Sequence, residues 1–491
     1  MKKVFSLFLS ILLATCAIIP ASSAFAATSP IKTSGKDAIM TFAAWGDPQV
    51  SNIMSSRGKY AAAASKDLKN AESDIDALVL AGDITENGFK NEYTEVYNDL
   101  VDTGISNFIT STGNHDIRLG QYADAKSKFI SFTNDLNAAV GSSIKIDSMY
   151  YSCNVKGYDF IVLGSETTQL EEADISDTQL KWLDSKLKAT TNKGKPVFVV
   201  IHQPLKETHG LPDTWGSSNV KAGTVGPQSD EIKSILNKYK NVVLISGHLH
   251  AGFGKYSYEK IGNIHCVNLP SIGVDNNDGS YNENGIGYMV EIFSNRVVFR
   301  ARNFNTGEYV SDYNININLD RVKSSSLSAT SYTYDGKAKT PSVTLYDYNS
   351  KKISSSNYTV TYPRDRKNVG TYQIKITFKG DYKGNPEIYK TFTINPKGTS
   401  LSSVLAGSKK FTVKWNKQST QTTGYQIQYA TKKDFSNAAT IYGGPSTANS
   451  KTITGRAGNT RYYVRIRTYK NIGGKYFYSS WSSTKSVVTS K

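Results

Sequence analysis

The sequence predicts a multidomain protein: an α/β domain over about residues 38–319, then two all-β sandwich modules. Two observations carry this expectation. In the first stretch, short β-branched runs alternate with helical patterns, as in a sheet flanked by helices. After Asp320 the long helical patterns stop, and Ser, Thr, Tyr and Lys dominate segments that alternate apolar with polar residues. The length of 491 residues leaves room for about three domains at about 150 residues each.

In chain order, Ile39–Ala44, Ala77–Ala81, Phe108–Ser111, Val197–Ile201 and Val242–Ser246 read as strands, each followed by Gly, Asp, Asn or His in a turn. Between them Arg57–Ser73, Asn91–Asp102 and Asp177–Leu187 read as helices. In the tail, Tyr358–Tyr362 and Tyr372–Ile376 show the period of two of half-exposed strands. Asn395-Pro396-Lys397-Gly398 separates one module, 321–395, from the next, 397–491.

Composition is that of a globular chain: 38% hydrophobic and 20% charged, which excludes a collagen-like, largely disordered or polytopic membrane protein. The net charge of +17 is uneven. Residues 27–320 hold 27 Lys and Arg against 35 Asp and Glu, whereas 321–491 hold 29 against 6. A basic tail of this kind suits an anionic surface.

At the N-terminus, Lys2-Lys3, an apolar run from Val4 to Ile19 and Ala24-Phe25-Ala26 are the three parts of a secretory signal peptide, expected to span 1–26. The expected localisation is therefore extracellular. Cleavage leaves Cys153 and Cys266, which either pair in an oxidising environment or stay as buried thiols.

Chemistry concentrates at the strand ends. The turns are Gly46-Asp47-Pro48-Gln49, Gly82-Asp83-Ile84-Thr85-Glu86, Gly113-Asn114-His115-Asp116, His202 after its strand, and Gly247-His248-Leu249-His250. Four of the six histidines fall in this set, while His209 and His265 lie outside it and read as ordinary packing. Asp47, Asp83 or His202 alone is better explained as a turn, a helix cap or a satisfied core polar group, and Gly247-His248-Leu249-His250 alone favours neither reading. Five such turns in order at strand ends are not so explained, because Asp, Asn and His together are the mixed oxygen and nitrogen donors that divalent metals accept.

In that order the motifs resemble the calcineurin-like metallophosphoesterase family over about residues 37–318. The resemblance implies an α/β/β/α four-layer sandwich with two divalent or trivalent metal ions (Mn, Fe, Zn or Mg) at the sheet ends. It places Asp47 and His250 on the first metal, Asp83 between the two, and Asn114, His202 and His248 on the second. His115 would act beside the phosphate as proton donor or oxyanion stabiliser, with Asp116 orienting it. Such a pair clamps the attacking and leaving oxygens of an in-line displacement and turns a bridging water into hydroxide, so no protein nucleophile is needed. The family usually shows Asp-x-His at the first motif; here Gln49 stands in that place and offers a weaker, neutral oxygen, which leaves the first site either looser or fitted to a harder ion such as Mn or Mg.

In the last unit, Trp415, Tyr425, Tyr463-Val464-Arg465-Ile466-Arg467 and Ser480-Trp481-Ser482 resemble the core positions and late strands of a fibronectin type III domain. The unit before it, with Tyr334-Asp335-Gly336-Lys337 and Asn368-Val369-Gly370-Thr371-Tyr372, is similar to the small immunoglobulin-like repeats of Gram-positive surface proteins. The expected function is a secreted phosphohydrolase acting on a small organophosphate, with specificity set by loops such as Leu211–Gly216. The rival is a cell-surface binding protein with a weakened site. For the tail, an anionic wall polymer or glycan is the preferred partner, then a plain spacer, with nucleic acid disfavoured. No hydrophobic segment or wall-sorting motif precedes Lys491, so retention at a cell surface is expected to be non-covalent.

Overall fold

The computed structural model describes residues 29–491 apart from 36, 55, 169–170, 191–193 and 210–222. The expected signal peptide and the Leu211–Gly216 loop lie outside the described residues.

The first unit comprises β1 (Met40–Trp45), α1 (Lys59–Lys69), β2 (Ala77–Ala81), α2 (Lys90–Leu100), β3 (Phe108–Ser111), α3 (Asn114–Ile117) and α4 (Tyr122–Ala139). It continues with β4 (Tyr151–Val155), β5 (Tyr158–Val162), α5 (Asp177–Thr190), β6 (Val197–Val200), α6 (Ser229–Asn237) and β7 (Val242–Ser246). Then follow β8 (Tyr258–Ile261), β9 (Ile264–Asn268), β10 (Ile286–Ile292), β11 (Arg296–Asn303), β12 (Glu308–Tyr309) and β13 (Ile315–Asn318). One sheet runs β12-β11-β10-β1-β2-β3, with β13 also on β11; the other runs β4-β5-β6-β7-β9-β8. In each the centre is parallel: β1, β2 and β3 in the first, β5, β6, β7 and β9 in the second.

Period-two alternation explains how the central strands can be apolar throughout. Phe160, Val162, Phe198, Val200, Val243 and Ile245 face the other sheet. Their neighbours Ile161, Val197, Val199, Val242 and Leu244 pack instead with Leu180, Leu183 and Leu187 of α5 and Ile232, Ile235 and Leu236 of α6. Between the sheets Phe42, Phe160 and Phe198 meet with ring centroids 5.0–5.5 Å apart. Helices α1, α2 and α4 cover the outer face of the first sheet through Leu68, Val96 and Phe129. The result is the four-layer α/β/β/α sandwich.

Two helices are shorter than the sequence pattern suggests. Gly58, at φ 101°, cannot extend α1 backwards to Arg57, and Asn70 caps its other end. Cys153 on β4 and Cys266 on β9 are free thiols, four strand spacings apart in one sheet at about 4.8 Å each. That separation far exceeds the reach of a disulfide.

Beyond Asp320 the regular elements are strands, apart from single 3-10 turns at Ser355–Asn357 and Gly380–Tyr382. Ser331–Thr333, Ile388–Asn395, Gly370–Phe378 and Tyr358–Thr361 form a four-stranded sheet that packs Ile374, Ile376 and Phe392 against Leu345 of a two-stranded partner. The last unit pairs a three-stranded sheet with a five-stranded one around Phe411, Val413, Trp415, Tyr425, Ile427, Val464 and Ile466. Both are all-β sandwiches.

Candidate metal centre

Parallel strands aim their carboxyl ends the same way, so β1, β2, β3, β6 and β7 deliver their following turns to one edge of the double sheet. Asp47 follows β1, Asp83 follows β2, Asn114 opens α3 just after β3, His202 follows β6, and His248 and His250 follow β7. Asp47, Gln49, Asp83, His248 and His250 all have left-handed backbone, at φ 50°, 41°, 47°, 72° and 46°. For non-glycine residues this costs about 1–3 kcal/mol each, and such strain gathers where function holds it in place. The glycines explain how the turns approach so closely. A Cβ on Gly113 would lie 2.0 Å from Asp83 Oδ1, and one on Gly247 would lie 2.7 Å from Asp47 Oδ2. Only hydrogen fits at either position.

Two groups that could each hold a cation result. Asp83, His202 and His248 present ligating atoms within 4.8 Å of one another, and so do Asp47, Asp83 and His250. Asp83 belongs to both. His250 Nε2 lies 3.1 Å from Asp47 Oδ1, and His202 Nε2 lies 3.2 Å from Asp83 Oδ2 and 3.1 Å from His248 Nδ1. The His248 backbone N–H donates to Asp47 and the His115 N–H to Asp83 Oδ1, which fixes both carboxylates. Asp47, Gln49, Asp83, Asn114 and His202 are at most 1% exposed.

The donor set fits a pair of cations. Buried carboxylates and imidazoles in such a cluster need compensating charge. Gln49 donates from Nε2 to Asp83 Oδ2 at 3.3 Å, while its Oε1 is buried with no hydrogen-bond partner. Leaving a buried carbonyl oxygen unmatched costs about 1–3 kcal/mol, which a cation beside it would recover.

Protonation tells the same story. Burial alone would raise the Asp83 pKa, but the charge and hydrogen bond of His202, then His115 and His248, outweigh it and hold the carboxyl below its usual range. Burial would lower that of His202, yet Asp83 and Asp47 lift it to about 10. Burial and the neighbouring His202 charge push His248 well below 6.5. A proton on His202 therefore sits where a cation would, and the two compete for the same donors as pH falls.

Behind these donors, Asp116 accepts hydrogen bonds from the N–H groups of Ile84, Thr85 and Gly113, and from the hydroxyls of Thr85 and Tyr93, at 2.8–3.2 Å. Burial and the nearby Asp83 charge raise its pKa to about 6. Asp116 thus ties the turn after β2 to the turn after β3. The His115 ring meets other residues: its Nδ1 lies 3.0 Å from the Glu86 carbonyl oxygen and its Nε2 lies 3.1 Å from Arg118 Nη1 and 3.9 Å from Asp83 Oδ2. Burial would lower the His115 pKa, but the Glu86 hydrogen bond and the Asp83 charge outweigh it and raise it. Glu86 also pairs with Arg57 and Arg118.

Sequence reasoning assigned no role to Glu86, Arg118 or Glu171. Arg118 stands three residues after His115, and that spacing on a helix was a usable signal. Glu171 had none, since it comes from a loop between β5 and α5. His209 and His265 lie apart from the cluster; the His265 ring meets the Tyr258 hydroxyl at 2.8 Å.

These features define a metallophosphoesterase-type domain. Residues 40–252 match the family model for calcineurin-like phosphoesterases, so the chain carries a domain of that family followed by all-β modules. Among curated proteins, a 3',5'-cyclic-nucleotide phosphodiesterase of Nostoc sp. is 26% identical over 210 residues, 43% of this chain and 67% of that protein. Purple acid phosphatase 21 of Arabidopsis thaliana is 26% identical over 181 residues, 36% of this chain and 38% of that protein. The chain thus spans well under half of the second relative's length. Among solved structures, an fn3 domain of the human collagen alpha-1(XX) chain is 14% identical, with 19% of this chain and 85% of that domain covered. Its TM-score of 0.17 is too low to add to the strand pairing already described.

The unusual first motif gives a direct test. Gln49→His is expected to tighten binding at the Asp47–His250 side and to shift preference from Mn towards Zn, because imidazole is a softer, stronger donor than an amide oxygen. Competition titrations of the two ions measure this. Unchanged affinity and selectivity would place Gln49 outside the ligand set.

Proposed function

We propose that this protein is a secreted, metal-dependent phosphohydrolase that cleaves a small organophosphate. The observation that carries the reading is Asp83, shared by two cation-binding groups at one sheet edge. Asp47, Gln49 and His250 would hold one ion with Asp83, and Asn114, His202 and His248 the other. A bound pair supplies an acidified water and neutralises charge on the phosphoryl oxygens. With a neutral amide oxygen at position 49, a hard ion such as Mn or Mg fits the first side better than Zn.

The chain's own residues do the rest. The Glu86 carbonyl oxygen holds the His115 ring from its Nδ1 side, so Nε2 turns towards Asp83 and the reacting centre. From there His115 would protonate the leaving oxygen as imidazolium, the form that Glu86 and Asp83 favour, with its Nε2 proton replacing the bond that Nε2 otherwise accepts from Arg118 Nη1. Asp116 keeps the Asp83 and His115 turns in register through its five hydrogen bonds. The phosphodiesterase and phosphatase names of the relatives support phosphoester chemistry and leave both ester classes open.

The test is metal content of the purified mature protein combined with turnover of an aryl phosphate monoester and the matching diester. Two ions per chain and hydrolysis of at least one ester are expected. Failure to bind metal, or to cleave either ester after loading with Mn, would sink the reading.

Secretion rests on the N-terminal pattern Lys2-Lys3, apolar run and Ala24-Phe25-Ala26. No helix among the described residues is long and apolar enough to cross a membrane. The tail's role is to hold the enzyme on an anionic wall polymer: residues 397–491 alone carry 16 Lys and Arg against one acidic residue, Asp434. A chain ending at Asp320 keeps the paired hydrogen bonds between Asn241 and Asp320, so its turnover is expected to match the parent's. It should lose binding to isolated, teichoic-acid-bearing walls. Full-length protein should release from them as salt rises, because the screening length falls from about 10 Å at 0.1 M to about 3 Å at 1 M. Salt-independent binding, or none, would leave the tail as a spacer.

A further inference from the structure

Two ring nitrogens, His202 Nε2 and His248 Nδ1, stand 3.1 Å apart beside Asp83. Both can serve one cation only through lone pairs, so the proton of neutral His248 must lie on Nε2, on the far side of its ring. There the Glu171 carboxylate waits, with Oε2 3.7 Å from His248 Nε2. The same oxygen accepts from Asn114 Nδ2 at 3.3 Å, which identifies Oδ1 as the Asn114 atom with the chemistry to ligate a cation. One carboxylate oxygen therefore faces the outer nitrogens of two candidate ligands that come from different sheets.

The fold holds Glu171 in this position. Its loop closes through Glu166 N–H donating to the Asp174 carbonyl at 2.9 Å, and Ala173 bridges Val225. The Glu171 carbonyl oxygen accepts from Gln203 Nε2 at 3.1 Å, and Gln203 is the residue after His202. Gln203 is 2% exposed, so the donor end of this tether is buried. The loop is thereby anchored beside the β6 turn that carries a third candidate ligand.

We propose that Glu171 is a positioning residue for the second cation: it fixes the tautomer of His248 and the amide orientation of Asn114. The proposal rests on the phosphohydrolase reading above. An anionic acceptor behind an imidazole makes its inner nitrogen a stronger donor, and loss of such a partner typically costs about 10–100-fold in metal affinity. Because the two ligands that Glu171 faces, His248 and Asn114, both belong to the second group, its effect should fall on that ion.

The experiment is Mn titration of the full-length protein, with Glu171→Ala, Glu171→Gln and the neighbouring control Glu172→Gln, each melted in parallel. Wild type must first bind two Mn ions; if it does not, the phosphohydrolase reading itself fails. Glu171→Ala is expected to weaken the second ion by about 10–100-fold while the first ion and the metal-free melting temperature stay put. Glu171→Gln should lose less, because its amide oxygen can still accept from Asn114 Nδ2 and face His248 Nε2. Glu172→Gln should match wild type. Unchanged binding of both ions in Glu171→Ala would overturn the proposal. So would equal weakening of both ions with a lowered melting temperature, since that is the signature of a merely structural residue.

Discussion

Asp83→Asn is expected to lower phosphoester turnover by at least about a thousandfold, or about 4 kcal/mol of transition-state stabilisation. The reason is its place in the cluster. Asp83 is the only residue present in both cation-binding groups found among the described residues, so neutralising it removes the charge that each ion shares. Asparagine keeps an oxygen that can accept the His115 N–H bond, so the turn after β2 should survive. Metal content should fall from two ions per chain while circular dichroism and thermal melting remain those of the folded protein. Parent-like hydrolysis by this variant would defeat the two-metal reading.

His115→Ala is expected to reduce turnover by about 10²–10⁴-fold, the usual contribution of a positioned proton donor, and to leave metal content unchanged. Its ring meets Glu86 and Arg118 and comes no nearer than 3.9 Å to an Asp83 oxygen, which is the geometry of a group beside a cation site. Metal analysis separates the alternatives. A variant that loses an ion along with activity would make His115 a ligand, whereas one that keeps both ions and full turnover would leave the proton without this donor.

Arg118 and Glu86 bear on that result. Both contact His115, and Glu86 is itself held by Arg57 and Arg118, so the imidazole is packed into a charged frame. His115→Ala leaves that frame intact, because Glu86 keeps both arginine partners. The loss measured should therefore report the missing ring.

Much of this protein is legible in the chain itself. Continuous apolar runs such as Val197–Val200 and Val242–Ser246 give strands whose alternate residues must find separate cores. Glycine at 46, 82, 113 and 247 marks turns in which a following polar residue is delivered at a strand end. That spacing puts Asp47, Asp83, Asn114, His202, His248 and His250 at strand ends, while their division between two metals came from the resemblance of the motifs to the family. The change of texture after Asp320 likewise separates helix-flanked from all-β structure.

Tertiary structure decided what lies behind the donors. Asp116 was expected to orient the His115 ring, yet its bonds go to Ile84, Thr85, Gly113 and Tyr93, and the ring is met by Glu86 and Arg118. Nothing in the local sequence distinguishes these possibilities, because they depend on how the β2 and β3 turns dock. Glu171 is more remote still: it reaches Asn114 across 57 positions, brought there by a loop whose closure rests on Val225 and Gln203. Local sequence can specify a turn and the residue it presents. Which carboxylate ends up behind that residue is set by the packing of two sheets, and that is a property of the whole fold.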